Sequence, residues 1–468
     1  MKILETLVVG GGISGLASAW QLNQDGHEVQ LWESKPDCGG KIQTFSSHGY
    51  TTERSASMVL NFRPEVSGFL DDSGLGEHKL LRAPTSRRYV INQGTLQNVP
   101  MSMGGMLFSP LWSMPGKLRL MLEPFVLKGA APNESVADFI RRRLGNEMLD
   151  KAMSAYISGT LASDPELADS QSVLPHLIAL EQRYGSLTAG AFARKVLNRK
   201  KASATEGFAF QGGMSTMIEV LRRPLQAHIR TGHSLAHISR HGRYWAVTAK
   251  TDQGEQNCLV KNLILSTPAP VSARLLKMIH PELGAALKEI EYAPVSVVHL
   301  GYHKQQIKHS LEGTGFLTPW KEQLKLNGSM WMHSLFPGRA PQDHVLMSNY
   351  LGGARRPEVA HWSEQKRIDT VCAELKSLIG IRGDADWARV DHHQYALPLY
   401  HGQYALKQKA IATMLNSLPG LHLQANYLGG VSIRDRIVNA QALAMKFNHA
   451  SAENKTTITL APHHVCRT

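Results

Sequence analysis

The feature that most constrains this chain is the glycine turn Val8-Val9-Gly10-Gly11-Gly12-Ile13-Ser14-Gly15, set between a β-favouring apolar run (Leu4 to Val9) and a helical segment (Leu16 to Gln24). It satisfies G-x-G-x-x-G in the strand-turn-helix context that gives the motif meaning. Gly10 permits the tight turn, Gly12 lets the backbone approach a pyrophosphate, and Gly15 lets helix and strand pack closely. The helix N-terminus, with Ile13 and Ser14, then faces the diphosphate. A second strand, Glu28 to Trp32, ends at Glu33, which with Ser34 beside it is placed to meet ribose hydroxyls. An acid there favours FAD or NAD over NADP.

The following residues separate the two. Gly39-Gly40-Lys41-Ile42-Gln43-Thr44 leaves the second strand at once, where an NAD domain would continue its αβ alternation. A loop of this kind wraps the diphosphate and ribityl chain of FAD, with Gly39, Gly40 and Lys41 against the cofactor. Near the carboxyl end, Gly429-Gly430-Val431-Ser432-Ile433 is a second glycine corner opening a helix. Its backbone N–H groups are expected to stabilise negative charge at the flavin N1/O2 edge, the plainer alternative being a simple helix start against the sheet.

No Ser/His/Asp order, H-E-x-x-H or P-loop is present, so no catalytic side chain and no metal is assigned and the hard chemistry falls to the cofactor. The cysteines Cys38, Cys258, Cys372 and Cys466 have neither metal-ligand nor C-x-x-C spacing, and the dispersed histidines, His392-His393 included, read as strand residues. That cysteine usage and the lack of a signal-peptide pattern point to a reducing, cytoplasmic address. Basic residues exceed acidic ones by 13, a field that attracts nucleic acid, anionic lipid or an acidic small molecule. Nucleic acid is not expected: Arg141-Arg142-Arg143 and Arg199-Lys200-Lys201 are short, lack interleaved aromatics and read as solvated helix faces.

Along the chain, the βαβ entry is followed by a helix from Pro64 to Ser73, a mostly helical stretch from about 95 to 200, a β-meander between Ile229 and Leu265, an α+β unit from about 285 to 400, and a final helix from Ile433 to Phe447. The helical stretch opens with Met101, Met103, Met106, Leu107, Phe108, Leu111, Trp112 and Met114, almost without charge. It is either a buried helix-loop or a patch for a membrane surface or a greasy substrate. The expected fold class is α/β (α+β overall). Residues 448–468 are expected to be a disordered polar tail.

With these residues placed, the chain resembles the protoporphyrinogen oxidases, within the amine-oxidase-like flavoproteins. The more specific stretches are Ser158-Gly159-Thr160, Asp164-Pro165-Glu166-Leu167, Leu180 through Ser186, Gln211-Gly212-Gly213-Met214, Phe336 through Pro341, Leu351-Gly352-Gly353, Leu397-Pro398-Leu399-Tyr400 and Gly430 through Ile433. The resemblance implies a fold of three parts: residues 1–94, 205–270 and 401–447 as a discontinuous Rossmann-like FAD domain, 95–204 as a helical insertion and 271–400 as an α+β substrate domain. It implies noncovalent FAD, a porphyrinogen substrate, oxygen as acceptor, and three rounds of hydride transfer to flavin N5. It implies a membrane-binding role for the helical insertion, hence a peripheral position on the inner face of the cell membrane, and leaves a homodimer open. By position it assigns Arg88 to a substrate propionate, Gly159, Leu317, Met330 and Tyr350 to the walls around the macrocycle, and the Leu235 backbone to the adenine. Met330 and Tyr350 stand where leucine and phenylalanine are more usual.

Ser55 and Ala425 replace family glycines, a change that crowds the flavin if the backbone there needs positive φ and is absorbed otherwise. The rival readings are a flavin oxidase of an amine or of another pigment intermediate, and a tetrapyrrole-binding flavoprotein that has lost turnover.

Overall fold

A computed structural model describes residues 2–84, 87–100, 103–129, 133–197 and 205–459. Met101, the Arg199-Lys200-Lys201 cluster and Cys466 lie outside the described residues.

The apolar opening run becomes the strand Lys2–Val9, buried almost throughout its second half, and it is the axis of the first sheet. It pairs in parallel with Val29–Trp32 on one side and with Gly254–Leu265 on the other. Ile229–Arg230 extends one edge, and Leu421–Leu423 pairs in parallel with the far end of Gly254–Leu265. The meander Ser234–His241, Tyr244–Thr251 and Gly254–Leu265 turns at His241–Tyr244 and Thr251–Gly254. Strands buried on both faces need cover on both sides. One face carries Ile13–Gln24 and Ile433–Thr459, with Leu16, Trp20, Ile437 and Leu443 in one core. The other carries Ala269–Leu276, Pro281–Lys288 and Tyr404–Asn416, with Leu276, Leu287 and Ile411 in a second. Each such large side chain contributes about 1.5–3 kcal/mol on burial, as an upper bound.

The second sheet is built in the order Trp387–Pro398, Tyr292–His303, His344–Gly352, Leu326–Trp331, Gly315–Leu317, Tyr89–Asn92, Thr95–Asn98. Side chains alternate across it. Val298, Leu300, Tyr302 and Met347 pack against the helix Glu364–Ile379. The alternate residues face the other two parts of the molecule.

Three boundaries differ from expectation. Tyr89–Asn92 and Thr95–Asn98 belong to the second sheet, so the chain leaves the first domain ahead of residue 94. The helices Ala269–Leu276 and Pro281–Lys288 pack on the first sheet, which carries that domain past residue 270. The last helix runs on to Thr459, so residues 448–459 are helical instead of a loose tail; residues 460–468 lie outside the described residues.

Between Met103 and Leu197 the described residues are helices around their own core of Leu111, Trp112, Phe139, Ile140, Leu149 and Ile157. Arg141, Arg142 and Arg143 hold this unit together, correcting their reading as a solvated face. Arg143 is fully buried 2.7 Å from Glu123, Arg142 spans Glu134 and Glu181, and Arg141 pairs with Glu166. Removing one partner of a buried pair of this kind costs about 3–5 kcal/mol.

Candidate cofactor and substrate site

The first cradle is made of backbone. After Val9 the chain turns at Gly10 (φ 109°) and enters the helix at Ile13 with Gly12 as N-cap, without a side-chain cap and with no acidic residue in the first turn. The first intrahelical bond runs from the Leu16 N–H to the Gly12 carbonyl, which leaves the N–H groups of Ile13, Ser14 and Gly15 without a helical acceptor. A side chain at Gly15 would begin 1.9 Å from the Gly10 carbonyl oxygen, whereas one at Gly12 would meet nothing within 4 Å. The turn is therefore closed behind and open in front. Gly39 and Gly40 lie across it: the Gly39 N–H donates to the Gly11 carbonyl at 2.8 Å, and a side chain at Gly40 would touch the Gly12 Cα at 3.1 Å.

Glu33 closes one end. Its carboxylate accepts the N–H of Gly11 at 2.6 Å and of Lys35 at 2.9 Å, with the Ser34 hydroxyl at 3.1 Å. The Glu33 carbonyl accepts the His233 N–H at 2.9 Å, which brings the start of Ser234–His241, with buried Leu235, to the same edge. Lys41 donates to the Ala396 carbonyl at 2.7 Å. Burial without a carboxylate partner pulls its ammonium from an ordinary 10.5 down to about 8. Free helix N–H groups, an open glycine face and a half-buried cation lacking an anion fit the diphosphate of a dinucleotide.

The second glycine corner shares this end of the molecule. Asn448 bonds both Asp25 and His27 at 2.8 Å, so the last helix runs parallel to Ile13–Gln24, and Ile13 and Ile433 pack into one core. Gly429 (φ 68°) and Gly430 (φ 104°) form the turn. Its N–H groups are less free than expected: Asp435 accepts the Ser432 N–H at 3.2 Å and the Ser432 hydroxyl at 2.6 Å, while the Ser432 oxygen accepts the Asp435 N–H. Gly430 and Val431 keep N–H groups without an acceptor among the described residues. Val431 and Ile433 pack on opposite cores.

Neither family departure crowds this region. Ser55 and Ala425 are not among the residues of positive φ. The Ser55 hydroxyl donates to the Lys41 carbonyl at 2.7 Å, and the Ala425 carbonyl accepts from buried Arg436.

One pair went unassigned from sequence. Buried Glu53 accepts from Arg339 at 2.7 Å, from the Thr44 hydroxyl at 2.7 Å and from the Met214 N–H at 3.0 Å. Burial pushes its carboxyl up despite the Arg339 guanidinium. A single carboxylate thereby ties the Gly39–Thr44 loop, the Gln211–Met214 turn and the Phe336–Pro341 segment together. Glu53 stands two residues ahead of Ser55 and Arg339 within Phe336–Pro341, but nothing local in the chain couples them.

The candidate substrate face, by contrast, is made of side chains. In the second sheet Val90, Leu317, Gly328, Tyr350 and Val297 form one cross-strand row, and Gly315, Met330, Ser348 and His299 form the next on the same face. Arg88 is exposed, one residue ahead of Tyr89–Asn92, at the end of the strand next to the edge strand Thr95–Asn98. Gly159, on the helix Ser154–Leu161, lies over this face: a side chain there would begin 2.5 Å from Leu317 Cδ2. The Tyr350 hydroxyl sits 3.4 Å from Ser57, just past the Glu53–Ala56 loop, and 3.4 Å from the Met330 sulfur. Four of the positions singled out, Gly159, Leu317, Met330 and Tyr350, thus meet on one surface beside the glycine-built domain, with Arg88 at its edge. Below them buried His299 bonds Ser348 at 2.9 Å and faces Asp391 at 3.6 Å.

A glycine cradle with a second glycine corner at the same end, facing a sheet across a helical insertion, defines an FAD-dependent oxidoreductase. The family model described as flavin containing amine oxidoreductase matches residues 13–429, and the chain belongs to that family. It is 29% identical over 465 residues to protoporphyrinogen oxidase 2, chloroplastic/mitochondrial, of Arabidopsis thaliana, covering 92% of this chain and 91% of that one. It is 26% identical to coproporphyrinogen III oxidase of Bacillus subtilis (strain 168), covering 93% and 96%. Among solved structures, a candidate protoporphyrinogen oxidase from Exiguobacterium sp. 255-15 superposes with a TM-score of 0.79 at 22% identity, covering 95% of this chain and 98% of that one. Putrescine oxidase bound to putrescine superposes at 0.69 with 13% identity, covering 96% and 99%, a likeness of fold alone.

Proposed function

We propose that this protein oxidises a porphyrinogen, protoporphyrinogen IX, to the porphyrin, with FAD as cofactor and oxygen as final acceptor. The observation that carries this is the gathering of Gly159, Leu317, Met330 and Tyr350 on one largely apolar surface beside the glycine-built domain, with the exposed cation of Arg88 on the same sheet. A porphyrinogen is a broad apolar ring bearing carboxylates, which needs such walls and one or two fixed cations. Relatives named for protoporphyrinogen and for coproporphyrinogen oxidation, each matching nearly the whole chain, support the substrate class.

FAD, when bound, supplies the two-electron acceptor. The protein's own residues do the rest. Ile13, Ser14 and Gly15, with Gly10, Gly12, Gly39, Gly40 and Lys41, would hold the diphosphate; Glu33, Ser34 and Leu235 the adenosine end; Gly430 through Ile433 the ring end. Arg88 would orient the substrate by a propionate. Leu317, Met330 and Tyr350 would keep the ring flat against the cofactor and exclude water.

The helical unit presents Phe108 (88% exposed), Met114 (75%), Phe125 (80%) and Leu127 (88%) to solvent. In this reading they touch a membrane surface from the cytoplasmic side, which suits a poorly soluble product. No helix among the described residues is long and apolar enough to cross a membrane.

Anaerobic mixing of the FAD-loaded protein with protoporphyrinogen IX, coproporphyrinogen III and putrescine tests the proposal. Bleaching of the flavin band by protoporphyrinogen in preference to the others is expected. Bleaching by the amine alone would establish the amine-oxidase alternative, and porphyrin binding without bleaching the inactive-flavoprotein one.

A further inference from the structure

The second glycine corner carries more charge than a bare helix start. The helix Ile433–Thr459 opens with Arg434, Asp435 and Arg436 in succession. Asp435 lies against the turn itself: a side chain at Gly430 would run into its carboxylate, which also takes the Ser432 N–H at 3.2 Å. Left alone, that carboxylate would repel the negative charge that a flavin gains at its N1/O2 edge on reduction. Arg434 offsets it, with its guanidinium 3.4 Å from the Asp435 carboxylate and 2.8 Å from the Leu60 carbonyl.

Arg436 is a different case. It is 2% exposed and has no ion-pair partner among the described residues. Its guanidinium donates to the carbonyls of Ala425 and Leu428, the latter at 2.6 Å, and its Nε–H is buried without an acceptor. Burial pulls the group below the usual guanidinium range, yet an arginine keeps its proton in a protein. Carbonyl dipoles solvate such a cation without cancelling its charge. With Arg434 set against Asp435, one positive charge remains, held out of water against the loop that leads into Gly429. The free N–H groups of Gly430 and Val431 add to it. Lys41 is the matching cation without a carboxylate at the first cradle, but the two would meet different groups. A diphosphate is charged at all times, whereas the ring of FAD is neutral until electrons arrive. A cation at the ring end therefore favours the reduced cofactor over the oxidised one. Through a partly buried medium it does so over several ångströms, without contact.

We propose, building on the placement of the flavin ring at the Gly429–Gly430 corner given above, that Arg436 raises the reduction potential of the bound flavin and that Asp435 opposes it. Redox titration of the FAD-loaded protein tests this, with sulfite binding as a second readout, since sulfite adds to flavin N5 and leaves negative charge at N1/O2. Arg436→Gln, which keeps hydrogen-bond donors but removes the charge, is expected to lower the midpoint potential and to weaken sulfite binding roughly tenfold. Arg436→Lys is expected to restore most of both. Asp435→Asn is expected to shift both readouts the opposite way, and it serves alone if Arg436→Gln folds poorly. Opposite signs identify charge, because a loosened loop would move both variants in one direction. Shifts of the same sign, or none, overturn the role of Arg436. If Gly430→Ala still alters the flavin absorbance, the ring stays at this corner and only the electrostatic role falls. Absorbance and sulfite affinity unmoved by Gly430→Ala as well would remove the ring from the corner altogether.

Discussion

The glycine cradle and the substrate face are built from different materials. The cradle uses backbone N–H groups, positive φ and missing side chains, all fixed within a few residues of Gly10 and Gly39. The face uses side chains from five strands or strand ends and one helix, aligned only by long-range register. The first suits the flavin that the family description names, whereas the second can change its ligand by exchanging side chains without disturbing the sheet. The contrast predicts that cofactor and substrate binding separate cleanly under mutation.

The strongest break is Gly15→Ala. Its methyl would start 1.9 Å from the Gly10 carbonyl oxygen, and backbone cannot yield as a flexible side chain can. A loss of about 3 kcal/mol or more and purification without bound flavin are expected, read by thermal melting and the absorbance spectrum. Normal flavin content would show that the turn is not the cofactor cradle.

On the other side of the comparison, Arg88→Ala is expected to retain full flavin content and to weaken porphyrinogen binding roughly ten- to a hundredfold. Steady-state kinetics with protoporphyrinogen decide it, and unchanged KM removes Arg88 from the site.

A smaller effect links pH to the cradle. Lys41 in the flavin-free protein is depressed from 10.5 to about 8 by burial. The unfolded chain therefore binds more protons between those values. Stability of the flavin-free protein should rise with pH from about 8 to 10.5, the burial penalty being fully present below that window. Lys41→Met, or saturation with FAD, should flatten this component of melting temperature against pH.

Smallest is Tyr350→Phe. Both contacts of the Tyr350 hydroxyl are 3.4 Å long, at the weak end for hydrogen bonds, so stability should move by no more than about 0.5 kcal/mol with flavin content intact.

These differences also explain what was legible in the chain. The cradle was readable because its determinants are local: Gly10, Gly15, Gly39 and Gly40 each answer to a turn or a close approach next to them, and Gly12 leaves the front of the turn open. The wall positions came only through resemblance, since no periodicity relates Gly159 to Leu317 or Tyr350. The Glu53–Arg339 pair was missed because its partners stand 286 residues apart. Arg143 looked solvated beside two other arginines, yet Glu123, which buries it, lies in a separate stretch. Ser432 and Asp435 were in view, but their mutual capping was overlooked in favour of bare N–H groups.

The parallel packing of Ile13–Gln24 on Ile433–Thr459 has a consequence for biogenesis. During synthesis the opening βα unit emerges early, but the helix that covers it is made only after the second sheet and the helical insertion have left the ribosome. The side of Ile13–Gln24 that packs on Ile433–Thr459 must wait uncovered, which exposes the nascent chain to aggregation and to chaperone capture. On the proposed cofactor site, which draws on both glycine corners, flavin would be taken up only after the last helix is made.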